Sequence, residues 1–356
     1  MRNTLLKRSA LLLAASAFIT PGIVPVGPTT STVTAAEVAV PASDKAILPY
    51  LDDDTFIVAR LDVEKVDQDE LQKLMEKALD AMFKKLNVPA QAIGQAKAQS
   101  MQGFGQAKQW LTDLGQAGGK HVYILMDTNI GNDTPPSIVV PFENAEDASK
   151  IQGILTRNGG QEQAVEAGKA VVYARPDQVE RLQKRVAPDA KPSARPDLAK
   201  AFAAAGDAPL RVAYVPSESA RKWIEEKAPT LPAMLGGGDS KVLSRGVTYA
   251  SIAMVQKPQC IAKVAVHCTD AEQAKKFAET VTAGLGAAKD ELGGDEDLQK
   301  GLESAKPKVA GETVSFDIDP IALQLGLVGA QMRTAGGNAP AAQPAKPAQP
   351  GNNDGL

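Results

Sequence analysis

The sequence predicts an α+β protein made of two tandem β-α-β-β-α-β units of ferredoxin-like order, each with helices on an antiparallel sheet. Three observations carry this expectation. Residues 245–281 spell a strand, a turn, a second strand and a capped amphipathic helix, with the strands at Val247–Gln256 and Cys260–His267 and the helix from Asp270. An echo of that block lies 126 positions earlier without a gap: Tyr249 falls on Tyr123, Val266 on Val140, Ala271 on Ala145, Glu272 on Glu146, Ala274 on Ala148 and Lys276 on Lys150. A match at one fixed offset points to a repeated supersecondary unit. Finally, Ala167-Gly168-Lys169 and Ala310-Gly311-Glu312 each precede a strand that ends just before a proline, Pro176 or Pro320. The competing assignment is one larger α+β domain with a shared sheet, because strands such as Val247–Val255 are apolar on both faces.

Taken in order, the chain opens with an export signal at residues 1–36. Arg2, Lys7 and Arg8 precede the apolar run Ala10–Ile19, which is shorter than the ~20 residues that cross a bilayer. Cleavage fits after Ala17 or, the preferred reading, after Ala36, and no cysteine lies near either position for a lipid anchor. The first unit is expected over residues 45–190. Tyr50–Val63 reads as an acidic turn, Asp52-Asp53-Asp54, feeding a strand rich in β-formers. This turn, followed by Thr55 and an apolar strand ending in Leu61-Asp62, resembles uncharacterised exported proteins of planctomycete-type bacteria. The resemblance covers that segment alone and implies export without any particular activity.

Asp67 with Glu70 forms a capping box for a helix whose apolar face runs from Leu71 to Leu86. A weaker helix, rich in Ala and Gln and interrupted by Gly94, Gly103 and Gly105, extends to about Leu114. Strands at His121–Asp127 and Ser137–Phe142 form a hairpin. Asn144 then caps a helix, a strand covers Lys169–Arg175, and Pro176 opens a short helix. Residues 191–196, with two prolines, form the linker to a second unit at residues 197–333. There, Leu210–Val215 is a strand, Ser217–Lys227 a helix, and 235–239 a glycine-rich loop. Thr313–Asp319 alternates Val314, Phe316 and Ile318 with polar residues, the pattern of a strand with one wet face. Residues 334–356 are Pro, Ala, Gly, Gln and Asn with almost no large apolar side chain, a disordered tail by composition.

Charge and residue usage narrow the chemistry. Loss of the signal removes three cations and no acid, so the formal net charge moves from −3 to −6 and argues against nucleic acid. Cys260 and Cys268, eight residues apart on one extended strand, are ~26 Å apart, too far to pair. They share a face with Ala262, Val264 and Val266, as buried thiols do. Nucleophile-elbow, zincin, Cys-x-x-Cys and P-loop motifs are missing. The loop Gly236-Gly237-Gly238-Asp239-Ser240-Lys241 has the wrong order to cradle phosphate, and Ser219-Ala220-Arg221-Lys222 matches a Ser-x-x-Lys motif without its partners. Histidine is limited to His121 and His267.

One acidic constellation remains. In a ferredoxin-like unit the first two strands run parallel, so their C-terminal ends would gather Asp62, Asp127, Asn129 and Asp133 at one rim, oxygen ligands suited to Ca²⁺. The expectation is therefore an exported, periplasmic or extracellular, non-enzymatic binding or scaffolding protein. It needs no cofactor, enters no membrane, and meets another envelope or secreted protein. The alternative is a Ca²⁺-dependent or small-molecule enzyme at that rim.

Overall fold

The computed structural model describes residues 42–85, 90–127, 135–157, 159, 161–190, 195–232, 236–256, 260–292, 302 and 306–319. The expected signal peptide, tail and helix from Pro320, most of the expected linker, Asn129 and Asp133 lie outside them. A short helix α1 (Ala42–Lys45) and a 3₁₀ turn (Leu48–Tyr50) lead into β1 (Thr55–Asp62), α2 (Gln68–Lys85), α3 (Ala90–Gln116), β2 (His121–Asp127) and β3 (Ser137–Pro141). Then come α4 (Ala145–Thr156), β4 (Gln163–Ala167), β5 (Ala170–Ala174) and α5 (Pro176–Arg185). The second half holds α6 (Pro196–Ala204), β6 (Leu210–Tyr214), α7 (Glu218–Lys227), α8 (Lys241–Ser244), β7 (Val247–Val255), β8 (Ile261–Cys268), α9 (Ala271–Leu292), β9 (Lys308–Ala310) and β10 (Thr313–Ile318). Among the described residues no helix is long and apolar enough to cross a membrane.

All of these strands join one antiparallel sheet in the order β4-β5-β3-β2-β1-β6-β7-β8-β10-β9. The α+β class and the antiparallel pairing are as expected, but the sheet is shared, as in the competing assignment. β1 and β6 meet at its centre, with Arg60 directly opposite Arg211. The ferredoxin-like order is corrected. β1 and β2 are antiparallel neighbours, and so are β6 and β7, where the expected order demands a parallel pair with a strand between them. The reason lies in the crossovers. A single helix carries the chain to the opposite end of the sheet, whereas two successive helices, α2 and α3, bring it back to the end it left. The next strand must then run antiparallel. Counting the broken, glycine-interrupted run as part of one crossover hid this return.

Side-chain caps form at Asp67 and Asp270 but not at Asn144, and the Asp67 N–H that the expected box assigns to Glu70 donates to Gln256 Oε1 at 2.8 Å. Asp67 Oδ1 accepts from Glu70 N–H at 3.0 Å, and Asp270 Oδ1 from Gln273 N–H at 2.8 Å. Asn144 makes no such bond; its Nδ2 donates instead to Asp147 Oδ2 at 3.1 Å. Two hairpin strands, β4 and β9, and helix α6 are additions to the expected elements. Gly168 and Gly311 make the two hairpin turns, each with φ near +59°, where a side chain would be strained.

Each face of the sheet is covered differently. The front face carries Val58, Arg60 and Asp62 of β1. Over it lie Ile47, Tyr50 and Leu51 from the N-terminal segment, Val179 and Leu182 from α5, and Leu198 and Phe202 from α6, all buried. On the back face, Ile151 and Leu155 of α4 pack over the first half, and Phe277, Val281 and Leu285 of α9 over the second. Ala81 of α2 reaches the second-half cluster, and α3 packs on α2 and α4 and buries Leu114 in the first-half cluster. Cys260 and Cys268 are both free and buried, as their shared face requires.

Candidate functional site

Charge inside the fold collects at the two ends of the β1–β2 pair. At the Asp62 end, Asp44 is delivered from α1 onto the front face. Its Oδ1 accepts from Arg60 Nη1 at 2.8 Å and Arg211 Nη2 at 2.7 Å, and its Oδ2 from Arg211 Nη1 at 3.0 Å. All three side chains are buried. Arg211 also donates to the Gly206 carbonyl at 3.0 Å, and its guanidinium lies 5.6 Å from the centre of the Phe202 ring. Arg60 Nη2 lies 3.4 Å from Asp62 Oδ2 and 3.2 Å from His121 Nδ1. Burial pushes the Asp44 carboxyl up from the ordinary carboxylate value against the pull of Arg60. Burial, then the neighbouring Arg60, lowers His121, which leaves the ring neutral at pH 7. Tyr123, buried beside it, is raised by the same loss of solvent.

At the opposite end, Asp127 Oδ2 accepts from Arg181 Nη2 of α5 at 2.7 Å. Arg195 binds the carbonyls of Asp52 and Thr55 at 3.0 and 2.6 Å, and Arg185 that of Leu51 at 3.1 Å. Asp52 Oδ1 in turn accepts from Thr55 N–H and Oγ1–H, which closes the acidic turn. The arginines of α5 and of the turn into α6 thus grip the segment that leads into β1.

This geometry separates the proposed calcium ligands. Asp62 faces His121 across the pair, while Asp127 faces Thr55 at its other end. Seven residues of strand put them roughly 23 Å apart. Each is engaged with arginine, Asn129 and Asp133 lie outside the described residues, and among the described residues no group of three or more His, Cys, Asp or Glu side chains is placed to hold a metal ion. The shared rim required parallel β1 and β2, and it goes with that assignment. Sequence reasoning missed Asp44 and the arginine pair. The available signal was an arginine inside each of two apolar strands, Phe-Ile-Val-Ala-Arg-Leu at 56–61 and Leu-Arg-Val-Ala-Tyr at 210–214.

A surface groove borders the β6–β7 crossover. The groove, of about 600 Å³, runs between the glycine loop, α8 and α9, lined among others by Gly236, Lys241, Arg245, Gln273, Lys276 and Thr280. Gly236 has φ +93° and sits so close to α9 that any Cβ would collide with the Thr280 carbonyl. The loop uses its own amides: Gly237 N–H bonds the Pro232 carbonyl and Ser240 N–H that of Pro229. Those donors are therefore not turned outward as in a phosphate cradle. Arg245 is held by Glu218 and Glu225 of α7, and Ser219 Oγ contacts Ser217 Oγ at 3.0 Å. On α7, a helix with no buried residue, Trp223 is 58% exposed.

Comparison of the chain with protein-family models, curated proteins and solved structures found no match.

Proposed function

We propose that the chain is an exported, non-enzymatic binding or scaffolding protein that meets another envelope or secreted protein through its β6–β7 crossover. The observation that carries this reading is Trp223. A tryptophan left largely in water, on a helix with no fully buried residue, forgoes hydrophobic stabilisation of about 1.5–3 kcal/mol that partner contact recovers. Exposed aromatics of this kind dominate binding energy when covered. The adjoining groove and the Arg245–Glu218–Glu225 network give that surface a fixed shape and a polar rim. Export is supported by the basic, apolar and small-residue succession of residues 1–36. Duplication of one module is supported by the shared strand order of the two halves and by their register. Val140 pairs with Val171 and Val266 with Val314, and Phe142 N–H bonds the Lys169 carbonyl as Cys268 N–H bonds that of Glu312.

Cross-linking in envelope fractions, followed by capture of the chain, tests the reading. The wild-type chain is expected to recover a reproducible protein partner, and Trp223→Ala to lose at least tenfold of it, as removal of an interface anchor worth about 2 kcal/mol does. Recovery of no reproducible partner, or equal recovery by the variant, ends it.

A further inference from the structure

We infer that Arg60 and Arg211 form a carboxylate-binding site on the front face of the sheet, and that the Asp44 side chain is its resident ligand. Three guanidinium N–H groups converge on one carboxylate at 2.7–3.0 Å, using both of its oxygens. The receptor groups are held by contacts that do not involve Asp44. Arg211 is fixed by the Gly206 carbonyl and the Phe202 ring, Arg60 by Asp62 and His121, and the two strands fix their separation by direct pairing of these positions. Asp44 arrives from a different element, the four-residue helix α1, 16 positions from one arginine and 167 from the other. The receptor and its ligand are therefore separable parts. Truncating Asp44 to alanine leaves a hole the size of one carboxylate, lined by two buried cations. The chemistry of that hole selects a small planar monocarboxylate of formate or acetate size. Chloride cannot accept from both arginines at two separate atoms, and tetrahedral anions are larger than the vacated group.

The test is thermal unfolding of Asp44→Ala in sodium formate against sodium chloride at equal ionic strength. Formate is expected to raise the midpoint of the variant in proportion to the logarithm of its concentration, as ligand linkage requires, with chloride far weaker. Wild type, whose site is filled, should respond to the two salts alike. Asp44→Asn, which fills the hole without the charge, should gain nothing from formate, and neither should Asp44→Ala combined with Arg211→Met. Should Asp44→Ala fail to fold, the yield of folded protein on refolding in formate against chloride replaces the midpoint. A formate-specific gain confined to Asp44→Ala supports the site. Absence of that gain, or its appearance in wild type or the double variant, overturns it.

Discussion

The two halves of the sheet share one strand order and one hairpin register, yet they treat water differently. On the back face they agree. Ile138 and Tyr173 pair where Val264 and Phe316 do, and Val140 and Val171 where Val266 and Val314 do. On the front face they diverge. Val139 and Val172 of the first half, both buried, stand where the second half has Ala265 and Ser315; Ser137, also buried, corresponds to exposed Lys263. The difference follows from what lies above. The N-terminal segment and α5 cover the first half's front face, so its strands are apolar on both sides, as doubly covered strands must be. The lesson is that backbone pairing is set by the module, whereas the polarity of each face is set by its cover.

The largest expected effect tests the cover at its most charged point. Arg211→Ala leaves Asp44 buried beside a single arginine and is expected to cost about 3–5 kcal/mol. Arg245→Ala in the second half breaks ion pairs of comparable length, but these are solvated and screened, so its loss should be far smaller. Urea unfolding of both variants measures the pair. Similar losses would mean that burial of the arginine at the join is not what distinguishes these networks.

The back face gives the complementary test, because there the halves should behave alike. Val140→Ala and Val266→Ala each remove two buried methyl groups beneath a helix, at an expected cost of about 2 kcal/mol apiece. Losses that differ by more than about 1 kcal/mol would break the equivalence of these positions.

Alkaline pH reads the titratable groups that the sheet buries. Loss of solvent raises Cys260 and Cys268 from 9.0 to about 11. Unfolded chains shed these protons from pH 9, while the fold retains them to about pH 11, so stability falls as pH rises across that interval. Tyr50 on the first half and Tyr214 on the second are each raised from 10.0 to about 12 by burial and act one unit later. The slope of the urea midpoint against pH between 9 and 11 should flatten in Cys260→Ser with Cys268→Ser, whatever that variant does to the midpoint itself. An unchanged slope would place the alkaline loss on other groups.

How much of this was legible beforehand divides along the same line. Pattern-based reading found β1, β2, β3, β5, β6, β7, β8 and β10 and the caps at Asp67 and Asp270, because alternation and capping are local signals. It found the wet face of Thr313–Asp319 for the same reason. Strand order was not local: it depended on whether the β1–β2 crossover contains one helical pass or two, and the second helix, expected to about Leu114 and found as 27 residues, had not been counted as a return pass. The Asp62–Asp127 rim failed with that order. The Asp44–Arg60–Arg211 contact was beyond reach, since residues 167 positions apart are joined only by tertiary packing. An arginine within an apolar strand announces that a partner is needed, and it does not say where the partner lies.

The smallest expected effect is the sharpest test of the idea that cover, not the module, dictates polarity. Ser315 occupies the register position of Val172 but is exposed on β10. If the module itself demanded an aliphatic residue there, Ser315→Val would repair a defect and stabilise the fold by the 1.5–3 kcal/mol of a buried valine. If cover decides, valine at 315 remains in water, gains only the modest β-propensity of a branched side chain, and shifts stability by no more than about 0.5 kcal/mol. Urea unfolding of this one variant reads the difference. A gain above 1.5 kcal/mol would mean that the second half's front face is covered after all, and that its polar residues are tolerated rather than required.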